Sequence, residues 1–236
     1  MWWGVVTLFP ELFEPWLKLG VIGRAHSTDK VKIEFENPRW HATDKHQTVD
    51  DRPYGGGPGM VLKAEPIDGA INTLKARAPS VPKVVFLTPS GMRFNQDIAE
   101  KHVAQESFIL IAGRYEGIDQ RVLDKHVDAH WSVGDYVLSG GEIPAMTIME
   151  TIIRLQPGVL GDPESAVKET FSKKQQGLEH PHYTRPPCWE DYSVPKVLLS
   201  GDHQAITKWR HAMAFNLTSE RRPDMLNDFR GDMQHE

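Results

Sequence analysis

One cysteine, Cys188, in 236 residues excludes an intrachain disulfide and a cysteine-rich zinc site, and nothing calls for an oxidising compartment. A cytoplasmic protein is the simplest expectation. Long apolar runs are also missing. The opening Met1-Trp2-Trp3-Gly4-Val5-Val6-Thr7-Leu8-Phe9 lacks a basic start, stops at Pro10 and is far too short to cross a bilayer. It reads as a buried first strand, with no membrane association. There is no surplus of positive charge either: the formal balance is −5, which argues against coating nucleic acid through bulk electrostatics. Local clusters such as Lys173-Lys174, Lys208 with Arg210, and Arg221-Arg222 could still meet phosphates, so any nucleic acid would be recognised by shape and pocket. The chain has no internal repeat and no low-complexity tract.

The length suits one to two domains and a sizeable core. Pro10 can open a helix over 10–19, with Leu12, Phe13, Trp16 and Leu17 as its stripe and Gly20 as its stop. Residues 31–35 alternate with the period of a half-buried strand. Apolar, strand-like runs at 83–88, 108–112 and 129–133 alternate with expected helices at 65–78, from Asn95 to about residue 105, and after the capping residue Asp119. Strands interleaved with helices imply an α/β fold on a mainly parallel sheet.

Glycine collects where these strands end. Gly113-Arg114-Tyr115-Glu116-Gly117-Ile118-Asp119 follows one strand, and Trp131-Ser132-Val133-Gly134-Asp135-Tyr136-Val137-Leu138-Ser139-Gly140-Gly141-Glu142 follows another. Both read as ligand loops or as ordinary turns; finding two together favours ligand loops, because ligands of α/β proteins sit at strand ends and glycine lets the backbone approach them closely. Pro89-Ser90-Gly91 offers a third turn of this kind. A further loop, Val49-Asp50-Asp51-Arg52-Pro53-Tyr54-Gly55-Gly56-Gly57-Pro58-Gly59-Met60, lacks the Gly-Lys-Ser/Thr ending of a P-loop and reads as substrate-facing.

The expected helix over 142–155 carries Ile143, Met146, Ile148, Met149, Ile152 and Ile153, too many for one stripe, so two of its faces should be covered, one by the sheet and one by a second subunit. Glu150 and Arg154 stand four apart in the favoured acid-first order, which suits a surface ion pair or a catalytic arginine. Over 156–176 the pattern dissolves into Gly, Pro, Ser and charges, the composition of a linker. Beyond it lie the proline-rich His180-Pro181-His182-Tyr183-Thr184-Arg185-Pro186-Pro187, a helix over 202–217 and a short one near 224–229, a small and mostly helical second domain. His180 and His182 have no third ligand nearby, so no metal site is expected.

The 49–60 loop, the 113–119 and 131–145 runs, Pro157-Gly158-Val159-Leu160-Gly161, His182-Tyr183-Thr184-Arg185-Pro186 and Leu198-Leu199-Ser200-Gly201, in that order, closely resemble the bacterial tRNA (guanine-N1)-methyltransferases, and the resemblance covers nearly the whole chain. It implies a SPOUT-type parallel sheet tied into a C-terminal trefoil knot, a rare exception to unknotted topology. The implied domains are a catalytic one over 1–158, a linker over 159–176 and a helical tRNA-binding domain over 177–236. Implied partners are a second copy of the chain, with active sites shared between subunits, and tRNA bearing guanosine at position 37, 3′ to the anticodon; no protein partner is expected. S-adenosylmethionine is the implied cofactor, held by Phe86, Leu87, Pro89, Gly113, Tyr115, Glu116, Gly117, Val133, Gly134, Asp135, Tyr136, Val137, Leu138, Gly140, Gly141 and Pro144. Family members depend on magnesium; without a metal constellation here, Mg2+ would act with the ligands or on Glu116 or Glu169.

Arg154 matches the family's catalytic arginine. The family's base is an aspartate in Ser-x-x-x-Asp-Ser-Phe, and here Ser165-Ala166-Val167-Lys168-Glu169-Thr170-Phe171 puts Glu169 in that slot, one methylene longer, on a loop expected to fold over tRNA. Glu116 and Asp162 are the rival acids. Phe86, where tyrosine is common, and a slightly longer linker through Lys173-Lys174-Gln175-Gln176 are further departures. Two other readings compete: an RNA-binding module without activity, and a methyltransferase acting on ribosomal RNA or a ribose hydroxyl.

Overall fold

The computed structural model describes residues 1–161, 169–172 and 177–226. They divide into two compact units, Met1–Gly161 and the described part of Asp162–Glu236.

The first unit is built on five parallel strands: β1 (Trp2–Val6), β2 (Lys32–Glu36), β5 (Lys83–Arg93), β6 (Ser107–Ala112) and β7 (Ala129–Ser132), side by side in the order β2-β1-β6-β5-β7. A two-residue antiparallel pair, β3 (Asp50–Asp51) with β4 (Val61–Leu62), lies outside this sheet. Every residue of β1 and β6 is buried. Each face of these strands feeds its own core. Trp3, Val5, Phe108 and Leu110 pack with α1 (Gly20–Ser27), α3 (Gln96–His102) and α5 (Glu142–Ile153). Trp2, Val6, Ile109 and Ile111 pack with α2 (Ala64–Arg77) and α4 (Gln120–His126) on the other side. Covering on both faces is why these strands are continuously apolar, as parallel strands are.

The expected caps hold: Asn95 Oδ1 accepts from Ile98 N at 3.0 Å and Asp119 Oδ1 from Arg121 N at 3.0 Å. The helix expected over 10–19 does not form. Two 3-10 turns, Pro10–Phe13 and Trp16–Lys18, take its place, because Pro15 has no N–H to give and its ring obstructs the preceding turn. Gly20 is also not a stop. It opens α1, with φ of +64°, in a stretch whose two glycines hid the helix from a propensity reading.

Strand β5 outruns the expected 83–88. It pairs with β7 up to Leu87, leaves register, and rejoins at Met92 and Arg93. Over that detour Gly91 lies so close to β7 that a Cβ would stand 2.6 Å from the His130 carbonyl carbon. In the second unit α6 (His203–Arg221) is capped by Asp202, whose Oδ1 accepts from Gln204 N and Ala205 N. It is accompanied by a hairpin of β8 (Cys188–Trp189) and β9 (Tyr192–Ser193) and by 3-10 turns at Lys196–Leu199 and Pro223–Met225. The last of these replaces the start of the helix expected near 224–229; residues beyond 226, and most of the expected linker, lie outside the described residues. Among the described residues no helix is long and apolar enough to cross a membrane.

Candidate functional site

Because β5, β6 and β7 run parallel, the turns that follow their paired segments leave at one edge of the sheet. They enclose a cleft of about 250 Å³. Phe86, Leu87 and Pro89 come from β5, Gly113, Tyr115, Glu116 and Gly117 from the turn after β6, and Val133, Gly134, Tyr136, Val137, Leu138, Gly140, Gly141 and Pro144 from the segment after β7 and the start of α5. Every residue expected at a cofactor site therefore lines one cleft, except Asp135. Its carboxylate turns outward and accepts from Arg93 Nη2 at 3.1 Å.

Two chain crossings shape the cleft. Gly141 N donates to Gly113 O at 2.9 Å, and a Cβ on Gly141 would lie 2.6 Å from Ala112 Cα. A Cβ on Gly113 would meet the Phe86 ring at 2.9 Å. Glycine is required here because backbone passes against backbone and ring, and the same absence of side chains leaves amides and carbonyls open to a ligand. Apolar walls with backbone polar groups between them suit a molecule with a flat heteroaromatic part and a polar tail.

A polar cluster that the sequence reading passed over adjoins the cleft, whose lining includes its members Arg114 and Ser139. The Glu142 side chain, 2% exposed, takes a hydrogen bond on Oε1 from Thr7 Oγ1 at 2.9 Å, and its Oε2 lies 3.0 Å from Arg114 Nη2. That approach is an ion pair without hydrogen-bond alignment, since Oε2 and Arg114 Nε are both buried without a hydrogen-bonded partner. Arg114 Nη1 donates to Ser139 O at 3.3 Å, and the guanidinium sits 4.5 Å from the Phe9 ring centroid. One arginine thereby joins the ends of β1, β6 and the 133–141 segment. Its signal was its place inside the 113–119 run, between two residues that line the cleft. Thr88, Trp131, Ser132 and Ser139 also line the cleft without having been singled out.

The 49–60 loop is fastened beside this site by its backbone. Glu116 N donates to Met60 O at 3.0 Å, Leu62 N to Gly117 O at 2.9 Å and Asp119 N to Leu62 O at 3.0 Å. Glu116 lies directly over Gly59, in the space a Cβ there would need. Asp119 is held below the usual carboxylate range, chiefly by the hydrogen bond from the Arg121 side chain.

Arg154 is elsewhere. It follows the last turn of α5, whose first turn carries Pro144 at the cleft. At about 1.5 Å of rise per residue, the ten steps between them amount to about 15 Å, more than an arginine side chain spans. Glu150 accepts from Trp16 Nε1 at 3.2 Å. Glu169 belongs to the second unit, half-buried in a turn closed by Ser172 N donating to Glu169 O at 3.0 Å. Thr170 N donates to Glu179 Oε1 at 3.0 Å, and the Arg222 guanidinium lies 5.4 Å from the Phe171 ring centroid, so the turn is tied to the far end of α6. Asp162 lies outside the described residues.

The family model described as tRNA (Guanine-1)-methyltransferase TrmD matches residues 1–228. Among similar proteins, the tRNA (guanine-N(1)-)-methyltransferase of Pseudoalteromonas atlantica is 51% identical over 227 residues, covering 96% of this chain and 85% of the relative. Its namesake in Coxiella burnetii strain Dugway is 51% identical over 223 residues, with 94% and 89% covered. That of Aeromonas salmonicida is 47% identical over 228 residues, with 97% and 91% covered.

Proposed function

The chain belongs to the tRNA (guanine-1)-methyltransferase family, and from that premise we propose that it transfers a methyl group from S-adenosylmethionine to N1 of the guanosine at position 37 of tRNA. The observation that carries this reading is the convergence of three strand-end turns on one glycine-lined cleft. When bound, S-adenosylmethionine supplies a methyl group on a positively charged sulfur, already joined to its leaving group. The residues fit it: Phe86, Leu87, Val133 and Pro144 give the walls for a heteroaromatic ring, and the 133–141 segment, which lines the same cleft, gives its polar contacts. We assign Glu116 and Tyr115 to the polar tail.

No covalent intermediate is needed, so the protein's work is alignment and proton removal. The Glu169 carboxylate takes the proton from guanine N1, and the Arg154 guanidinium donates to O6, where charge builds as the N1 proton leaves. The separation of Arg154 from the cleft along α5 supports a site completed by a second copy of the chain. Ile143, 58% exposed on the same helix, supports a covered face there. The close passage of Gly141 against Ala112 supports a trefoil knot, which we infer for the first unit. We assign residues 177–236 to tRNA binding and the whole protein to the cytoplasm. Among the described residues no group of three or more His, Cys, Asp or Glu side chains converges on a possible metal position, and no step is assigned to magnesium.

Glu169→Gln and Arg154→Ala are each expected to slow single-turnover methyl transfer by roughly one to two decades, the worth of a charged hydrogen bond in a closed site. Calorimetric affinity for S-adenosylmethionine should stay nearly unchanged. A normal rate for Glu169→Gln moves the base elsewhere. Mass spectrometry of the product nucleoside decides between base and ribose methylation.

A further inference from the structure

The end of α5 is tethered to one neighbouring stretch of chain on both sides of Arg154. Before it, Glu150 Oε2 accepts from Trp16 Nε1 at 3.2 Å. After it, Val159 O accepts from Arg24 Nη2 at 2.8 Å, a contact between residues 135 positions apart. Trp16 belongs to the 3-10 turn Trp16–Lys18 and Arg24 to α1, which Leu19 alone separates.

The turn between the two tethers is itself tight. Leu155 N donates to Ile152 O at 3.2 Å and Gln156 N to Ile153 O at 3.0 Å, short-range bonds that draw in the last carbonyls of α5, and Val159 N returns to Gln156 O at 3.1 Å. Gly158, at φ of +74°, makes the reversal, and a Cβ there would stand 2.7 Å from Lys30 Nζ. Gln156 Nε2 adds a bond to Val103 O at 2.6 Å, and Val159, 2% exposed, is sunk in the core that Ile22 and Ala25 of α1 help to form.

Helix ends fray unless their last carbonyls and the chain beyond them are held. Arg154 directly follows the last turn of α5, where fraying would displace a side chain most. We propose that Trp16 and Arg24 are positioning residues for methyl transfer, bracing the end of α5 on either side of Arg154 and so fixing where its guanidinium meets guanine O6. Neither residue lines the cleft. Two hydrogen bonds near the surface add only modestly to folding stability, whereas a displacement of about 1 Å at a reacting centre costs about 100-fold in rate; a brace of this kind therefore acts on the rate far more than on the fold. The inference rests on the reading of the chain as a tRNA methyltransferase with Arg154 at the guanine, and deepens it.

The test is single-turnover methyl transfer by the full chain to an unmodified tRNA transcript, with S-adenosylmethionine and tRNA saturating, in two backgrounds. With Arg154 in place, Arg24→Ala should slow transfer on the order of tenfold, as a displacement short of 1 Å would. Trp16→Phe, which keeps an aromatic side chain and loses the N–H donor, should do the same. Affinities for tRNA and S-adenosylmethionine and the thermal midpoint should stay at parental values. Arg24→Lys, whose ammonium can still donate to Val159 O, should recover most of the rate. In an Arg154→Ala chain Arg24→Ala and Trp16→Phe should cost nothing further, because the group they place is gone. Equal losses in both backgrounds, weakened tRNA affinity in place of slowed transfer, or parental rates in folded variants overturn the positioning role and leave the methyltransferase reading standing. Should Trp16→Phe fail to fold, the Arg24 variants carry the test. A parent protein that transfers no methyl group to the transcript, or an Arg154→Ala chain that transfers at the parental rate, overturns the reading beneath the inference instead.

Discussion

Glu142 and Arg114 form the most consequential side-chain pair of the first unit. A carboxylate with 2% exposure survives only with its charge balanced, and Arg114, itself mostly covered, is the cation beside it. Glu142→Gln would strand that guanidinium, so urea unfolding should lose about 2–3 kcal/mol, less than a fully dry pair because Arg114 keeps some water. The same substitution should loosen the 133–141 turn and weaken S-adenosylmethionine binding in calorimetry. The sequence made the neighbours of Arg114 conspicuous through their glycines, but gave no sign that this arginine reaches Ser139 and the Phe9 ring. Such a contact is decided by which turns the sheet brings to one edge. Glu169 is the opposite case, singled out by its motif alone, and the structure places it in a turn of the second unit without testing its proposed role.

Among the elements, helices with clear stripes and caps could be read in advance. Asn95 and Asp119 cap where expected, and α2 and α5 fall within two residues of their expected ends. The stripe over 10–19 misled because apolar spacing cannot replace the hydrogen bond that Pro15 lacks. Gly141 teaches a different lesson. Its sequence reading invoked a ligand, whereas the structure supplies a packing reason in the backbone of Ala112. Gly141→Ala should therefore destabilise by about 1–3 kcal/mol even without cofactor, as overpacking does, and thermal unfolding of the ligand-free protein checks it.

Helices α2 and α4 are joined through Asp68, which lies 2.5 Å from Lys125 Nζ and 2.6 Å from His126 Nε2. The Lys125 hydrogen bond first, then that of His126, holds Asp68 below the usual carboxylate range. A carboxylate depressed in this way contributes stability that is fully present above its unfolded value, about 4, and lost as pH falls through the folded one. Denaturant midpoints for Asp68→Asn should consequently fall less steeply than the parent's on acidification below about pH 4.

At the scale of the molecule, strand–helix alternation announced a parallel sheet. The order β2-β1-β6-β5-β7 was not legible, because strand order depends on long-range pairing that no local pattern encodes. The distance between Arg154 and the cleft yields a prediction about assembly. If one subunit's arginine serves the other's cleft, coexpressing Arg154→Ala chains with Glu116→Ala chains should regain about a quarter of parental activity. Random pairing makes half the dimers mixed, and each mixed dimer has one intact site. Sites confined to single chains would give none, and sedimentation of the parent at micromolar concentration should show a dimer.

Strand β1 has a further consequence, for biosynthesis. β1 finds one neighbour in β2 but waits for the other until Ser107 to Ile111 arrive. Over that interval a ribosome bearing the growing chain presents Trp2, Trp3, Val5 and Val6 with half their backbone partners missing, an open seam of the kind that recruits other nascent chains. Sequence-distant closure of this sort also makes for slow folding. Chaperone demand should accordingly peak while residues 37–106 are being translated and subside once β6 has zipped into place.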